Sequence, residues 1–255
     1  MNKILQVNKV QKIYGNKNNI QKALDGISFD VDCGEFVGIM GPSGSGKSTL
    51  LNCISTIDRV SAGDIIINGN NLSSLKGKKL NEFRVNELGF IFQDFNLLTT
   101  LNAFENIALS LTIQGKKPAF IDKRVKEVAT SLEIMPLLNK LPNEMSGGQK
   151  QRVAAARAIV TKPSLVLADE PTGALDSKAS RLLLDSLDKL NTELNTTILM
   201  VTHDAFTASY ASRILFIKDG KIFNELIRGD DSRKDFFKRI IDVTTLLGGD
   251  ANNVF

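Results

Sequence analysis

The sequence has few cysteines, one histidine and no long apolar run, and these scarcities narrow the possible classes of protein. Its two cysteines, Cys33 and Cys53, do not have the spacing of metal ligands. No apolar run approaches the roughly 18 residues that a membrane-spanning helix needs, and residues 1–7 lack the apolar core of a signal peptide. The sequence therefore predicts a protein of the reducing cytosol that does not cross a membrane by itself.

The charges of the chain are nearly balanced. The 32 basic and 28 acidic side chains give a formal net charge of +4 over 255 residues, which is too small an excess to indicate nucleic-acid binding. The densest basic run, residues 116–126, contains Pro118 and is interpreted as a solvated loop that leads into a helix face. With 42% apolar and 24% charged residues the composition is globular, which excludes disordered, collagen-like and coiled-coil chains.

The hydrophobic pattern predicts an α/β protein. The N-terminal third is typical of β-strands, and two later apolar runs, at 165–168 and 197–201, are typical of buried parallel strands. Helical spacing dominates residues 101–141 and returns at 182–194, between the two later strands. We therefore predict an α/β core that is interrupted by a mostly helical insertion near 94–158.

The sharpest motif is a glycine-rich loop that follows a short apolar strand at 35–40. It fits the pattern G-x-x-x-x-G-K-[ST], in which glycines let backbone N–H groups wrap a polyphosphate and the next helix start adds partial positive charge. Lys47 can reach the β- and γ-phosphates, and the Ser48 hydroxyl can ligate Mg²⁺. The predicted nucleotide-binding residues of this loop are Gly41, Pro42, Ser43, Gly44, Ser45, Gly46, Lys47, Ser48 and Thr49.

This loop indicates a nucleoside triphosphate without separating kinases, GTPases and motor proteins. A dinucleotide fingerprint is excluded because threonine stands at position 49, where its third glycine would fall. A GTPase is disfavoured because none of the Asn-Lys pairs has the aspartate that guanine recognition requires two residues later.

Two adjacent acids follow the buried strand at 165–168. Because burying charge is costly, Asp169 and Glu170 indicate chemistry rather than core packing. Asp169 can hold Mg²⁺ directly or through water, and Glu170 can polarise an attacking water as a general base. The alternative is an acidic pair at a helix start before Pro171.

A second candidate anion site opens an alanine-rich helix near residue 146. Ser146 is a good N-cap, so the residues Ser146, Gly147, Gly148 and Gln149 mark a helix start that can meet an anion. Since the glycine-rich loop already holds one nucleotide's phosphates, this second contact suggests another subunit. An ordinary Ser-Gly-Gly turn is the alternative.

Residues 145–149, Met-Ser-Gly-Gly-Gln, are similar to the L-S-G-G-Q signature of ATP-binding cassette (ABC) ATPases. The other motifs of that family are present as well. By resemblance, Tyr14 is the aromatic that stacks on adenine, Gln93 the Q-loop glutamine, Asp176 the D-loop aspartate and His203 the switch histidine. For Tyr14 and His203, packing within the protein is the alternative.

The resemblance covers about residues 3–225, with Met145 in place of leucine and Gly173 in place of a common serine as mild departures. It implies a P-loop NTPase core with an N-terminal antiparallel β-subdomain and a helical subdomain at about 94–158. A C-terminal extension, 226–255, follows.

The mechanism implied by the resemblance is ATP hydrolysis in a head-to-tail dimer. Each ATP would lie between the glycine-rich loop of one copy and residues 146–148 of the other. The implied catalytic residues are Glu170, His203 and Gln93. The implied Mg²⁺ ligands are Ser48, Gln93 and Asp169.

Within the family, the segments around Gln93, Gln149 and Asp176 look most like the macrolide-exporter and lipoprotein-release group, and more narrowly like the bacitracin-type peptide-antibiotic resistance ATPases. That resemblance implies a separate transmembrane permease at the cytoplasmic face of the cell membrane, and through it a membrane histidine kinase. A lipoprotein-release or cell-division complex is the alternative.

The segment 235–249 resembles the same subgroup. Its residues Phe236, Phe237, Ile240 and Ile241 are predicted to form one apolar stripe of a helix. We expect this stripe to pack on its own domain, and docking on a partner or on the second copy is the alternative.

Overall fold

The computed structural model describes residues 2–16 and 19–248. The chain divides into two compact units. We call residues 1–75 with 197–255 the terminal unit and residues 76–196 the central unit. Residues 249–255 of the predicted extension lie outside the described residues, and the predicted boundaries at 3–225, 94–158 and 226–255 stay predictions.

The strands are β1 (Lys3–Asn16), β2 (Asn19–Asp32), β3 (Phe36–Met40), β4 (Ala62–Ile67), β5 (Asn70–Asn71), β6 (Leu88–Ile91), β7 (Leu165–Asp169), β8 (Ile198–Val201), β9 (Arg213–Lys218) and β10 (Lys221–Ile227). The α-helices are α1 (Lys47–Ile54), α2 (Gly77–Glu87), α3 (Ala103–Ile113), α4 (Pro118–Ser131), α5 (Gly147–Ile159), α6 (Ser177–Leu194), α7 (Ala205–Ala208) and α8 (Arg233–Gly248). Short 3₁₀ turns occupy Leu72–Ser74, Met135–Leu137 and Pro142–Glu144.

The terminal unit contains the antiparallel sheet that the sequence predicts. Its strand order is β2-β1-β4-β5. Alternation along β1 buries Leu5 and Val7, and a register shift follows, with Lys9 at a φ of 49°. Burial then resumes at Val10 and Lys12, because one extra residue in a strand inverts which side chains face inward.

The same unit holds a mainly parallel set of strands. Strand β3 lies between β8 and β9 and runs parallel to both, while β10 returns antiparallel to β9 as a hairpin. Every residue of β3 is buried, as expected for a strand covered on both faces. The amide of Thr202 donates to Ile39 O at 3.1 Å, so β3 and β8 end at the same edge.

A partly buried ionic cluster ties these strands to β2. The guanidinium of Arg213 on β9 donates to the Glu35 carboxylate at 2.6 and 2.9 Å, to Asp30 O at 2.6 Å and to Glu225 at 2.9 Å. Because the fork of an arginine satisfies several acceptors at once, it fixes the register of three neighbouring segments.

The central unit is mostly helical around a parallel pair of strands. Strands β6 and β7 pair from Leu88 with Leu165 to Ile91 with Ala168. Helix α5 packs on α3, α4, α6 and β6. In the predicted basic loop, Pro118 begins α4, and Arg124 turns inward to donate to Val160 O at 2.9 Å. The α/β class with a helical insertion is therefore confirmed.

Helix α8 buries a different stripe from the predicted one. Its buried side chains are Phe236, Ile240, Val243 and Leu247, which recur at helical spacing. Of the predicted stripe, Phe236 and Ile240 are buried and Phe237 is half-buried, while Ile241 is 41% exposed, so the prediction was wrong for Ile241. The helix packs on α7 within its own unit, and the Arg233 guanidinium stacks on the Tyr210 ring at 3.8 Å. Among the described residues, no helix is both long and apolar enough to cross a bilayer.

Replacing Phe236 with alanine removes a fully buried aromatic ring from α8. We expect the free energy of unfolding to fall by about 3–5 kcal/mol, because a cavity is left in a packed face. Ile241→Ala, on the exposed face, should change it by less than about 0.5 kcal/mol. Urea unfolding of both variants measures the difference, and equal losses would contradict the assignment of the packed face.

Candidate nucleotide-binding site

The glycine-rich loop connects β3 to α1 at the edge where the parallel strands end. Gly41 has a φ of 154° and Gly46 a φ of 105°. A Cβ atom would lie 2.1 Å from Ile217 O at position 41 and 2.5 Å from Ala23 O at position 46. Both positions therefore require glycine, as the sequence pattern predicts.

The loop is held in shape by its own residues and by the turn between β9 and β10. The amide of Gly220 donates to Ser45 O at 3.0 Å. The buried Lys47 ammonium donates to Gly41 O at 2.8 Å and to Pro42 O at 2.9 Å. Lys47 therefore curls back along the loop and places a positive charge on it.

Several features of this loop fit a phosphate ligand. Gly46 gives α1 no side-chain cap, the first turn of α1 holds no acidic residue, and N–H groups at a helix start have no partner within the helix. The hydroxyl of Ser45 is buried and has no hydrogen-bond partner among the described residues. Ser43, Gly44 and Ser48 are exposed. The roles of residues 41–49 stay predictions.

Tyr14 belongs to a hydrogen-bonded cluster rather than to the apolar core. Its phenol donates to Asp58 at 2.7 Å and also bonds with Thr49, the last of the predicted nucleotide-binding residues of the loop. Lys12 donates to the other oxygen of Asp58 at 2.5 Å and to Arg59 O at 2.7 Å, and its ammonium lies 4.7 Å from the Tyr14 ring centroid. The ring is 39% exposed, so it is accessible to a ligand.

The pKa shifts in this cluster favour a protonated Tyr14 phenol, which can donate a hydrogen bond, and an ionised Asp58 carboxylate, which can accept it. Burial raises the pKa of Tyr14, and the Asp58 carboxylate raises it further, so the phenol remains a donor. Burial raises the pKa of Asp58 too, but hydrogen bonds from Lys12, Tyr14 and the Arg59 amide outweigh this effect and leave that pKa below its usual value.

His203 follows β8 at the same edge as the glycine-rich loop. It is exposed, which excludes a core position, and its contact with a phosphate stays a prediction. The next residue, Asp204, caps α7 by accepting from Phe206 N at 3.3 Å and Thr207 N at 2.8 Å. That cap fixes the backbone on which His203 lies.

In the central unit, parallel pairing brings Gln93 and the two acids to one edge. Ile91 pairs with Ala168, so Gln93 lies just beyond the end of β6, next to Asp169 at the end of β7. Glu170 has a φ of 45°, and its carbonyl accepts from Gly173 N at 3.0 Å in a tight turn. A Cβ atom on Gly173 would lie 3.0 Å from the amide of Gln93, so that side chain lies over the turn.

The predicted signature and D-loop residues are helix caps. Ser146 and Gln149 form a capping box on α5, in which the Ser146 hydroxyl accepts from Gln149 N at 3.3 Å and Gln149 accepts from Ser146 N at 3.0 Å. Asp176 accepts from Ala179 N at 2.8 Å and caps α6. Their contacts with a nucleotide of a second copy stay predictions.

Sequence reasoning did not single out four residues that hold these segments, namely Lys12, Asp58, Gln151 and Arg157. Arg157 donates to Phe95 O at 2.9 Å and to Asn96 O at 2.5 Å. Gln151 could have been found from the sequence, because it is a polar residue on the inner face of an alanine-rich helix. No such signal exists for the pair of Lys12 and Asp58.

The candidate metal ligands offer oxygen donors. These are the hydroxyl of Ser48, the side-chain oxygen of Gln93 and the carboxylate of Asp169. Mg²⁺ prefers oxygen and usually takes only one or two carboxylates, with water and substrate phosphates as its other ligands. Within the described ranges, no group of three His, Cys, Asp or Glu residues could hold a metal by itself. Each of these side chains is therefore of a type that Mg²⁺ accepts as a ligand, and their joint role stays a prediction.

The fold and the glycine-rich loop between β3 and α1 define a P-loop nucleotide-binding protein. The family model described as ABC transporter matches residues 24–173. YxdL, an ABC transporter ATP-binding protein of Bacillus subtilis (strain 168), is 52% identical over 100% of this chain and 98% of its own length. The bacitracin export ATP-binding protein BceA of Halalkalibacterium halodurans is 52% identical over 98% of this chain and 99% of its own length.

A solved structure gives the same result. The dimeric ATP-binding cassette MJ0796, in a post-hydrolysis state bound to ADP and Pi, has a TM-score of 0.79 and 39% identity over 88% of this chain and 98% of its own. The chain belongs to the ABC transporter family, and within it to the ATPases that bind ATP as nucleotide-binding subunits.

Asp58→Asn removes the carboxylate that accepts from Lys12 and Tyr14. Because the pKa of Asp58 is lower in the folded state, its carboxylate stabilises the fold above the unfolded pKa of about 4, and this stabilisation is lost as the pH falls through the folded pKa. The variant should therefore be less stable than the parent at neutral pH, with a smaller difference below about pH 4.

Urea unfolding at both pH values measures this difference. Asp122→Asn, which breaks an exposed pair with Lys126, is the matched control and should change stability little at either pH. A stability difference for Asp58→Asn that is independent of pH would contradict the prediction.

Proposed function

We propose that two copies of this ATPase drive a separate membrane permease in peptide-antibiotic resistance of the bacitracin type. The observation that carries the proposal is the 52% identity to a bacitracin export ATP-binding protein, over 98% of this chain and 99% of that relative. Such near-complete coverage includes the C-terminal segment that the ABC family model does not reach.

The residues of the terminal unit bind the nucleotide in this proposal. Backbone N–H groups of residues 41–49 and the ammonium of Lys47 hold the phosphates, and Tyr14 stacks on the adenine. His203 contacts the γ-phosphate. The polar cluster behind Tyr14 supports this role, because it holds the ring partly exposed and against the loop through Thr49.

Residues of the central unit activate and orient the attacking water in this proposal. Glu170 acts as the general base that polarises the attacking water, and Gln93 orients it. Ser48, Gln93 and Asp169 would hold Mg²⁺, and this ion would supply positive charge against the phosphates. The reaction requires an in-line water, so catalysis by these side chains consists of positioning and electrostatics.

A second copy completes the site in this proposal. Residues 146–148 at the start of α5, together with Gln149 and Asp176, meet the nucleotide that the other copy holds. The dimeric structures of MJ0796, at TM-scores of 0.79, support pairing of this kind. The permease places the dimer at the cytoplasmic face of the membrane and links it to a membrane histidine kinase.

Glu170→Gln keeps the shape of the side chain and removes its basicity. We expect ATP hydrolysis by the purified chain to fall at least about 100-fold while ATP binding persists, because only the proton acceptor is lost. Size-exclusion chromatography with ATP should then show an accumulated dimer. Full turnover in this variant would exclude Glu170 as the base.

Resistance function is tested with the chain purified together with its genetically adjacent membrane protein. ATPase activity is measured with and without bacitracin and nisin, and the Glu170→Gln variant serves as the inactive control. A peptide-dependent change in activity is expected from a resistance complex. Activity that Glu170→Gln abolishes but that no peptide alters would overturn the resistance assignment and leave the ATPase intact.

A further inference from the structure

A fully buried glutamine of the central unit bonds to the sequence neighbours of two predicted catalytic residues, Gln93 and Glu170. Gln151 is in the second turn of α5, and its Nε2 donates to Phe92 O at 3.0 Å and to Pro171 O at 2.7 Å. Phe92 directly precedes Gln93, and Pro171 directly follows Glu170. One amide group thus uses both of its hydrogens to join two loops.

The same side chain carries an acceptor that its surroundings do not satisfy. The two carbonyl acceptors fix which end of the amide is the NH₂ group, so Oε1 must point the other way. There it is buried without a hydrogen-bond partner among the described residues. A buried acceptor of this kind is destabilising, and methionine would fill similar space without one. The presence of glutamine at position 151 is therefore explained by the two backbone carbonyls that its NH₂ group binds.

One of the two segments that Gln151 binds is a strained turn that begins at Glu170. Glu170 has a φ of 45°, in the left-handed region that residues with a Cβ rarely adopt. Gly173 N bonds to the Glu170 carbonyl at 3.0 Å on one side, and Gln151 bonds to the next carbonyl, Pro171 O, from α5. Because Gln93 lies against Gly173, the turn and the Gln93 side chain are in contact.

We propose that Gln151 is a positioning residue for ATP hydrolysis, whose amide sets the spacing between the backbone that carries Gln93 and the backbone that carries Glu170. The inference rests on the proposed roles of those two residues. Phosphate binding is assigned to other residues, 41–49. Loss of the tie therefore acts on the rate of hydrolysis and leaves ATP binding in place.

The test compares Gln151→Met with a matched control in the same unit. Gln114 is also a glutamine whose Nε2 donates to two acceptors, Val85 O at 3.2 Å and Asn86 Oδ1 at 3.0 Å. We expect Gln151→Met to lower kcat about 10- to 100-fold with KM for ATP within about threefold, because small misplacements of reacting groups are that costly. Gln114→Met should leave both constants within about twofold of the parent.

A second readout needs no nucleotide. Amide hydrogen exchange in the full chain reports how firmly the two loops are held, since local opening governs exchange. Exchange in segments 92–97 and 170–176 should become faster in Gln151→Met and stay unchanged in Gln114→Met. If Gln151→Met does not fold, Gln151→Asn replaces it, because its shorter amide cannot reach both carbonyls.

The outcomes separate this inference from the proposed function. Parent-like kcat and exchange in Gln151→Met, with Glu170→Gln inactive, would overturn the inference alone. Full activity in Glu170→Gln would instead overturn the proposed catalytic role on which it rests. A fall in kcat that matches only the lost fraction of folded protein would also overturn the inference, since a purely structural residue behaves in that way.

Discussion

Parallel strands paired in register are the constraint on which the rest of the molecule depends. In the terminal unit Ile39 pairs with Val201, and in the central unit Ile91 pairs with Ala168. Parallel neighbours leave a sheet at the same edge, so the loops that follow them begin side by side. The buried apolar strands therefore decide which polar residues can meet before any of those residues forms a bond.

Helix α5 has a comparable role within the central unit. Its small side chains, Ala154, Ala155 and Ala156, are fully buried and let neighbouring elements approach closely. Its few inward-facing polar residues, Gln151 and Arg157, donate hydrogen bonds to backbone carbonyls of the loops that follow the strands. The helix that carries the signature at its start therefore also supports the loop that carries Gln93.

Features made of neighbouring residues were predictable from the sequence, and features made by packing were not. The predicted phosphate-binding groups of residues 41–49 are contiguous in the sequence, and hydrophobic patterns predicted the strand and the helix that flank them. The contact of Lys12 with Asp58 joins distant segments and depends on the register shift near Lys9, which no hydrophobic pattern reveals. In α8, periodicity gave the helix, but its packing on α7 decided that Val243 rather than Ile241 is buried.

The bond from Gly220 to Ser45 O has a thermodynamic consequence for the glycine-rich loop. With this bond on one side and the ammonium of Lys47 on the other, hydrogen bonds within the chain hold the loop in shape. Ordering a flexible segment costs conformational entropy at the moment of binding, and a segment that is already ordered avoids that cost. The entropy is instead lost once, when the chain folds, and it need not be lost again in each cycle of nucleotide exchange.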